Sequence, residues 1–99
     1  MLETLTLEAF SPLVGETFQV HVQPEQAVAL ELVEARPFSE SNNSPRPHPP
    51  FVLTFKGPAQ FVLPQQIYRV EHQALGAHEI FIVPIGPGRG GMLYEVIFN

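Results

Sequence analysis

From Phe51 to the end of the chain, apolar residues come in four short runs: FVLTF, QIYRVEH, HEIFIVPI and MLYEVIF. Gly, Pro and polar residues separate them, and no run keeps helical spacing. Their β-branched and aromatic content predicts strands. Strands joined this closely pair antiparallel, because a parallel crossover needs about a dozen or more residues. This half of the chain therefore predicts a meander. In so small a protein, a meander closes into a barrel or packs as a sandwich.

The first half begins with Leu2 to Leu7, whose loose alternation is that of a short strand. Thr6 is placed to cap one helical turn over Leu7, Glu8, Ala9 and Phe10. Ser11-Pro12 restarts the turn, with Ser11 as cap and Pro12 at the first helical position. Gly15 ends it in the left-handed conformation. Leu7, Phe10, Leu13 and Val14 recur at helical spacing and are expected to plug one barrel end. Glu16 to Val22 alternates, with Phe18, Val20 and Val22 on one face. Ala27 to Arg36 follows, with Val28, Leu30 and Leu32 inward. Inward and outward roles swap near Val33-Glu34, which predicts a bulge. Residues 39–50, SESNNSPRPHPP, hold four prolines beyond a Ser/Asn run and predict a long surface loop.

In the second half, Phe51, Leu53 and Phe55 share a face, and Lys56-Gly57-Pro58 turns the chain. Phe61 to Leu63 reads as a short edge segment before Pro64. Gln66 to His72 and His78 to Ile85 form a hairpin over Ala74-Leu75-Gly76, a type I turn followed by a left-handed Gly. That loop sets His72 opposite His78, Val70 opposite Ile80 and Tyr68 opposite Ile82. Phe81-Ile82-Val83 is apolar on both faces, so this strand is expected to be covered twice. Gly86 to Gly91 is a flexible hairpin tip. Met92 to Phe98 is the last strand and is tied into the sheet, so truncating the last few residues is expected to unfold the domain.

Charge and composition narrow the function. The 99 residues make one domain, 1–99, with ten Glu, no Asp, four Arg and one Lys, a net charge of −5. No basic stripe exists for a nucleic acid. The absence of Asp argues against a loop-built calcium site. The absence of Cys removes disulfides, zinc–thiolate sites and thiol catalysis, and fits a reducing compartment. MLETLTLEAF lacks a basic n-region and a long apolar core, and no run reaches membrane-spanning length, so the expected location is the cytoplasm, with no membrane partner. Charged residues are only 15% of the chain. So little charge favours an apolar face covered by a partner or by a second copy.

No constellation carries chemistry. Gly86, Gly88 and Gly91 spell GxGxxG, but a strand follows where a phosphate site needs a helix N-terminus. His72 and His78 share a face, and Glu71 and Glu79 lie on the other, leaving two ligands where a metal needs more. The serines fall in caps and loops, with no nucleophile elbow. The chain is accordingly read as a non-enzyme without a cofactor. Pro45 to Pro50 has the composition of a polyproline II ligand, or of a spacer outside the sheet.

The segments LTLEAFSPLVGETFQV, PFVLTFKGP, LPQQIYRVEHQALGAHEIFIVPIGP and LYEVIFN resemble a bacterial family of domains about 100 residues long with no assigned biochemical function. Phe10, Gly15, Phe18, Phe51, Tyr68, His72, Gly76, Phe81, Gly86 and Glu95 are among the residues that carry the resemblance. It covers nearly the whole chain and transfers no catalytic residue. Members look associated with genes for phage-tail-like collar proteins.

Together these readings predict a mainly β protein, a small antiparallel barrel or sandwich of six or seven strands with one short N-terminal helix. The expected function is a non-enzymatic binding or assembly domain, an accessory of a phage-tail-like particle, that takes a protein partner or associates with itself. Its candidate interaction surface is Glu79, Phe81 and Val83. The alternative is a barrel that binds a small ligand or metal in its mouth through Tyr68, His72 and His78.

Overall fold

The computed structural model describes residues 5–37 and 50–98. Of the short strand read over Leu2 to Leu7, residues 2–4 fall outside the described residues, while Leu5 and Thr6 join no strand and Leu7 opens a helix; of the loop read at 39–50, only Pro50 is described. Six strands follow one short helix: α1 (Leu7–Phe10), β1 (Thr17–Gln23), β2 (Gln26–Pro37), β3 (Phe51–Gly57), β4 (Gln66–His72), β5 (Gly76–Gly88) and β6 (Gly91–Phe98). All ladders are antiparallel, and the sheet closes into a barrel in the order β1-β2-β3-β6-β5-β4. The predicted mainly β class is therefore met by a barrel rather than a sandwich.

The predicted meander holds only for β4, β5 and β6. β3 pairs with β6, and β4 closes the barrel on β1. Residues 58–65 make this possible, because they are long enough to carry the chain across the barrel end. The result is a Greek-key arrangement. In the crossing segment, Leu63 is buried and its N–H donates to the Tyr94 hydroxyl at 2.9 Å. The expected edge segment at Phe61 to Leu63 is thus held by a side chain and forms no ladder. Tyr68 donates from the same barrel end to the Pro64 carbonyl.

The other end is closed by the N-terminal turns. Thr6 Oγ1 accepts the Ala9 N–H at 3.2 Å, the expected cap. A 3-10 turn over Ser11–Leu13 continues α1 with Pro12 in its first positions, and Gly15 has φ 97°. Ser11, however, does not cap: its hydroxyl donates back to the Leu7 carbonyl at 2.9 Å. The Phe10 ring enters the barrel mouth between Phe18, Phe51 and Phe98, at centroid distances of 6.2, 5.9 and 5.8 Å. Phe51 and Phe98 stack at 4.8 Å. Leu7 and Leu13 pack against this cluster, whereas Val14 turns out to solvent.

Inside, the wall residues Leu30, Leu32, Leu53, Phe55, Val70, Ile80, Ile82, Tyr94 and Val96 are all buried. Alternation places them there, and the expected bulge keeps β2 in step: the β2–β3 register shifts between Leu32 and Glu34, which returns Ala35 to the inside opposite Leu53. Among the described residues, no buried side-chain polar atom lacks a hydrogen bond.

The β4–β5 hairpin departs from the expected pairing. Val70 faces His78, Tyr68 faces Ile80, and His72 faces Gly76. Each pair is displaced to the next residue of its own face, so inward residues stay inward. The cause is the turn. The Leu75 N–H bonds to the His72 carbonyl, so the turn starts at His72, and left-handed Gly76 (φ 79°) is the first ladder residue, not the last loop residue. The β5–β6 tip is likewise tighter than a flexible loop. Arg89 and Gly90 both have positive φ, 54° and 82°, as in a two-residue type I′ turn, and the Gly88–Gly91 pair flanks it.

Candidate functional site

Exposed large apolar residues occur at Val14, Phe61, Val62, Ile85 and Ile97, and the outer face of the β4–β5 hairpin sets two more in one cross-strand register. Its positions follow from alternation: Ile67, Arg69 and Glu71 point out from β4, and Ala77, Glu79, Phe81 and Val83 from β5. In register, Glu71 faces Ala77, Arg69 faces Glu79, and Ile67 faces Phe81. Ile67 is 61% exposed and Phe81 48%. Two large apolar side chains thus sit side by side in water, next to a cation and an anion at facing register positions. Among the described residues, neither Arg69 nor Glu79 takes part in an ion pair.

The ladder explains why the pair is open. β4 joins β1 only through Arg69, Val70 and Glu71, so Ile67 has no paired neighbour on its β1 side. β5 joins β6 only from Val83 onward, so Phe81 has none on its β6 side. Each apolar residue lies where its strand is flanked by one partner instead of two. Val83, with a full β6 partner in Glu95, is half-buried.

Of the expected surface residues, Glu79 and Phe81 are exposed and Val83 is half-covered. Among the described residues of the chain itself, the outer face of this strand has no second cover. The strand that the chain itself covers on both faces is β3, where outward Val52 is 1% exposed and outward Thr54 is also buried. Ile67 and Arg69 belong to the surface but escaped the sequence reading. Their signal is the odd-numbered face of QIYRVEH, on which one isoleucine interrupts a polar series.

Tyr68, His72 and His78 share the inner face but do not converge. Tyr68 and His72 are four residues apart on one strand, roughly 13 Å, and serve opposite barrel ends. The His72 ring lies 4.5 Å from that of Phe18. Its Nδ1 accepts the Ala74 N–H at 3.0 Å, which leaves Nε2 to donate to Glu16 Oε1 at 2.7 Å. His78 Nε2 donates to the Leu75 carbonyl at 2.7 Å and staples the turn. Burial, and then the neighbouring Tyr94 phenol, push the Tyr68 hydroxyl above the ordinary tyrosine value.

A shallow cleft of about 570 Å³ runs along the short β1–β4 seam, lined by Glu16, Thr17, Gln19, Glu71, His72 and Gln73. Beside it, His21 Nε2 meets Glu71 Oε1 at 2.8 Å. The ionisable groups here are engaged with each other, in the His72–Glu16 and His21–Glu71 pairs. Among the described residues, no three His, Asp or Glu side chains gather as a metal's ligands would. No helix among them is long and apolar enough to cross a membrane. The GxGxxG glycines are absorbed by the sheet: Gly86 sits at a register shift, and Gly88 faces Gly91.

No curated protein and no solved structure matches the chain. A family model does, over residues 5–98, nearly the full length. With its ends closed by Phe10 and Leu63 and its outer hairpin face left open, the barrel belongs to the family of domains of unknown function designated DUF6916.

Proposed function

We propose that this barrel is a non-enzymatic binding or assembly domain that docks to protein through the outer face of β4 and β5. One observation carries the reading: Ile67 and Phe81, paired across two strands, are both about half or more exposed. Single exposed apolar residues are ordinary, but an adjoining aliphatic–aromatic pair is the material of an interface centre. The filled barrel interior and the separate occupations of Tyr68, His72 and His78 offer nothing comparable for a small ligand. The resemblance to bacterial domains associated with phage-tail-like collar genes points the same way, toward an accessory subunit of such a particle.

A photoreactive p-benzoylphenylalanine in place of Phe81 tests this in the producing cell. The expected result is a discrete protein adduct at position 81 that is lost when Ile67→Ser is added to a chain that still melts normally. The same probe in place of Glu25, at the β1–β2 turn, gives none. Equal adducts at the two positions, or none at 81, would overturn the reading.

A further inference from the structure

Resting on that reading, we infer that the occupant of the β4–β5 face is a second copy of the same face, related by a two-fold axis that runs parallel to the strands. The face is self-complementary about that axis. The axis passes midway between β4 and β5, so rotation sets β4 of one copy over β5 of the other at the same height. Ile67 then meets Phe81 of the partner subunit, and Arg69 meets Glu79 of the partner subunit. Each contact occurs twice, as a two-fold interface requires. Both charges are exposed, and neither is engaged in an ion pair among the described residues, so both are available. Stacked sheet faces lie about 10 Å apart, a gap that an arginine and a glutamate span together while Ile and Phe interdigitate. An axis across the strands at the level of the charges sets Arg69 against its own copy. At the level of Ile67 it leaves the charges unmatched. Only the axis along the strands matches the apolar pair and the charged pair at once. Two strands of a convex wall make a small contact, so the dimer is of the weak, concentration-dependent kind.

Sedimentation equilibrium of the full chain reads this out, with charge reversals that the geometry makes specific. Arg69→Glu puts acid against acid at both contacts, and Glu79→Arg puts base against base. Each variant alone is expected to raise the dimer dissociation constant by about tenfold or more, because like charges oppose across an interface. An equimolar mixture of the two restores dimers, because every contact between unlike chains is again acid against base. A mixture that stays monomeric while the wild-type chain dimerises overturns the proposed axis. A wild-type chain that stays monomeric at high concentration overturns the second copy as occupant. In that last case the docking reading still stands if the probe at position 81 captures a different protein, so the two failures are distinguishable. Circular dichroism of each variant confirms the fold.

Discussion

β3 and β5 carry nearly the same message in sequence, FVLTF against FIVPI, yet the barrel treats them oppositely. β3 is buried on both faces: Val52 and Thr54, which point away from the core, are as hidden as Leu53 and Phe55, which point into it. β5 hides Ile80 and Ile82 and leaves Phe81 half in water. The difference lies in the neighbours. β3 has full ladders on both sides, so Val52 is flanked by Arg36 and Ile97, and Thr54 by Glu34 and Glu95. Long side chains on both sides cover the short ones between them. Phe81 has Ile67 on one side and no paired residue on the other. An apolar run therefore announces a strand, whereas the outer-face burial is decided by how many partners flank each residue.

Asp substitution on the two outer faces is the strongest way to break the comparison. Val52→Asp buries an unpaired carboxylate and is expected to lower the unfolding free energy by about 4 kcal/mol or more, much of the stability of a small domain. Phe81→Asp, measured at a concentration where the chain is monomeric, should change it by less than about 1 kcal/mol. Urea unfolding of the two proteins decides the matter. Similar losses at both positions would mean that the β5 face is part of the fold and not an open surface.

His72 sharpens the comparison from inside the open wall. Its ring packs on Phe18, and its two nitrogens tie β4 to Glu16 and to Ala74. His72→Ala removes the packing and orphans the Ala74 amide, with an expected loss of about 2–3 kcal/mol. A loss under about 1 kcal/mol would show that the inner face of this wall is as slack as its outer face is bare. Gly76→Ala acts at the end of the same hairpin. The space beside Gly76 is empty, so the loss comes only from the left-handed backbone (φ 79°) and should be about 1–2 kcal/mol. For a chain of this size, that lowers the melting temperature by roughly 5–15 °C.

Local chemistry was legible where one residue decides the outcome. Thr6 as cap, Pro12 in the second turn, Gly15 in the left-handed region and the bulge after Leu32 each follow from short-range sterics or from a break in alternation. Alternation also grouped the residues that β1, β2 and β3 turn inward, Phe18 and Val20, Leu30 and Leu32, and Phe51, Leu53 and Phe55. What escaped were the choices that depend on who lies next to whom. The partner of β3 is such a choice: a segment that crosses the barrel end has the same composition as one that turns back. The β4–β5 register is another. A Gly after a three-residue loop closes the loop or opens the strand depending on where one amide bonds, and Leu75 bonds to His72. The candidate surface was half legible, since Phe81 stood out in its run while Ile67 needed its pairing partner to gain meaning.

The smallest expected effect belongs to Tyr68, and its sign follows from its surroundings. The hydroxyl is buried beside Tyr94 and donates to the Pro64 carbonyl, a bond that only the protonated phenol makes. Burial first, then Tyr94, hold its pKa above the ordinary value of 10.0. In the unfolded chain the phenol ionises near that ordinary value, while the folded barrel keeps the proton. The unfolded state therefore binds fewer protons once the pH passes that point, and stability falls as pH rises. The stabilisation is complete below the ordinary value and is lost as pH climbs through the raised one. Tyr68→Phe should lower stability by about 1 kcal/mol at neutral pH and make the alkaline fall less steep. The chain has two tyrosines, so ultraviolet titration of the variant follows Tyr94 alone, and the difference from wild type isolates Tyr68. Parallel alkaline stability curves for variant and wild type would mean that the folded barrel does not hold this proton. The closed, dry barrel end formed by Leu63, Tyr68 and Tyr94 would then be open to water, and the inner face of β4 would be no firmer than its outer one.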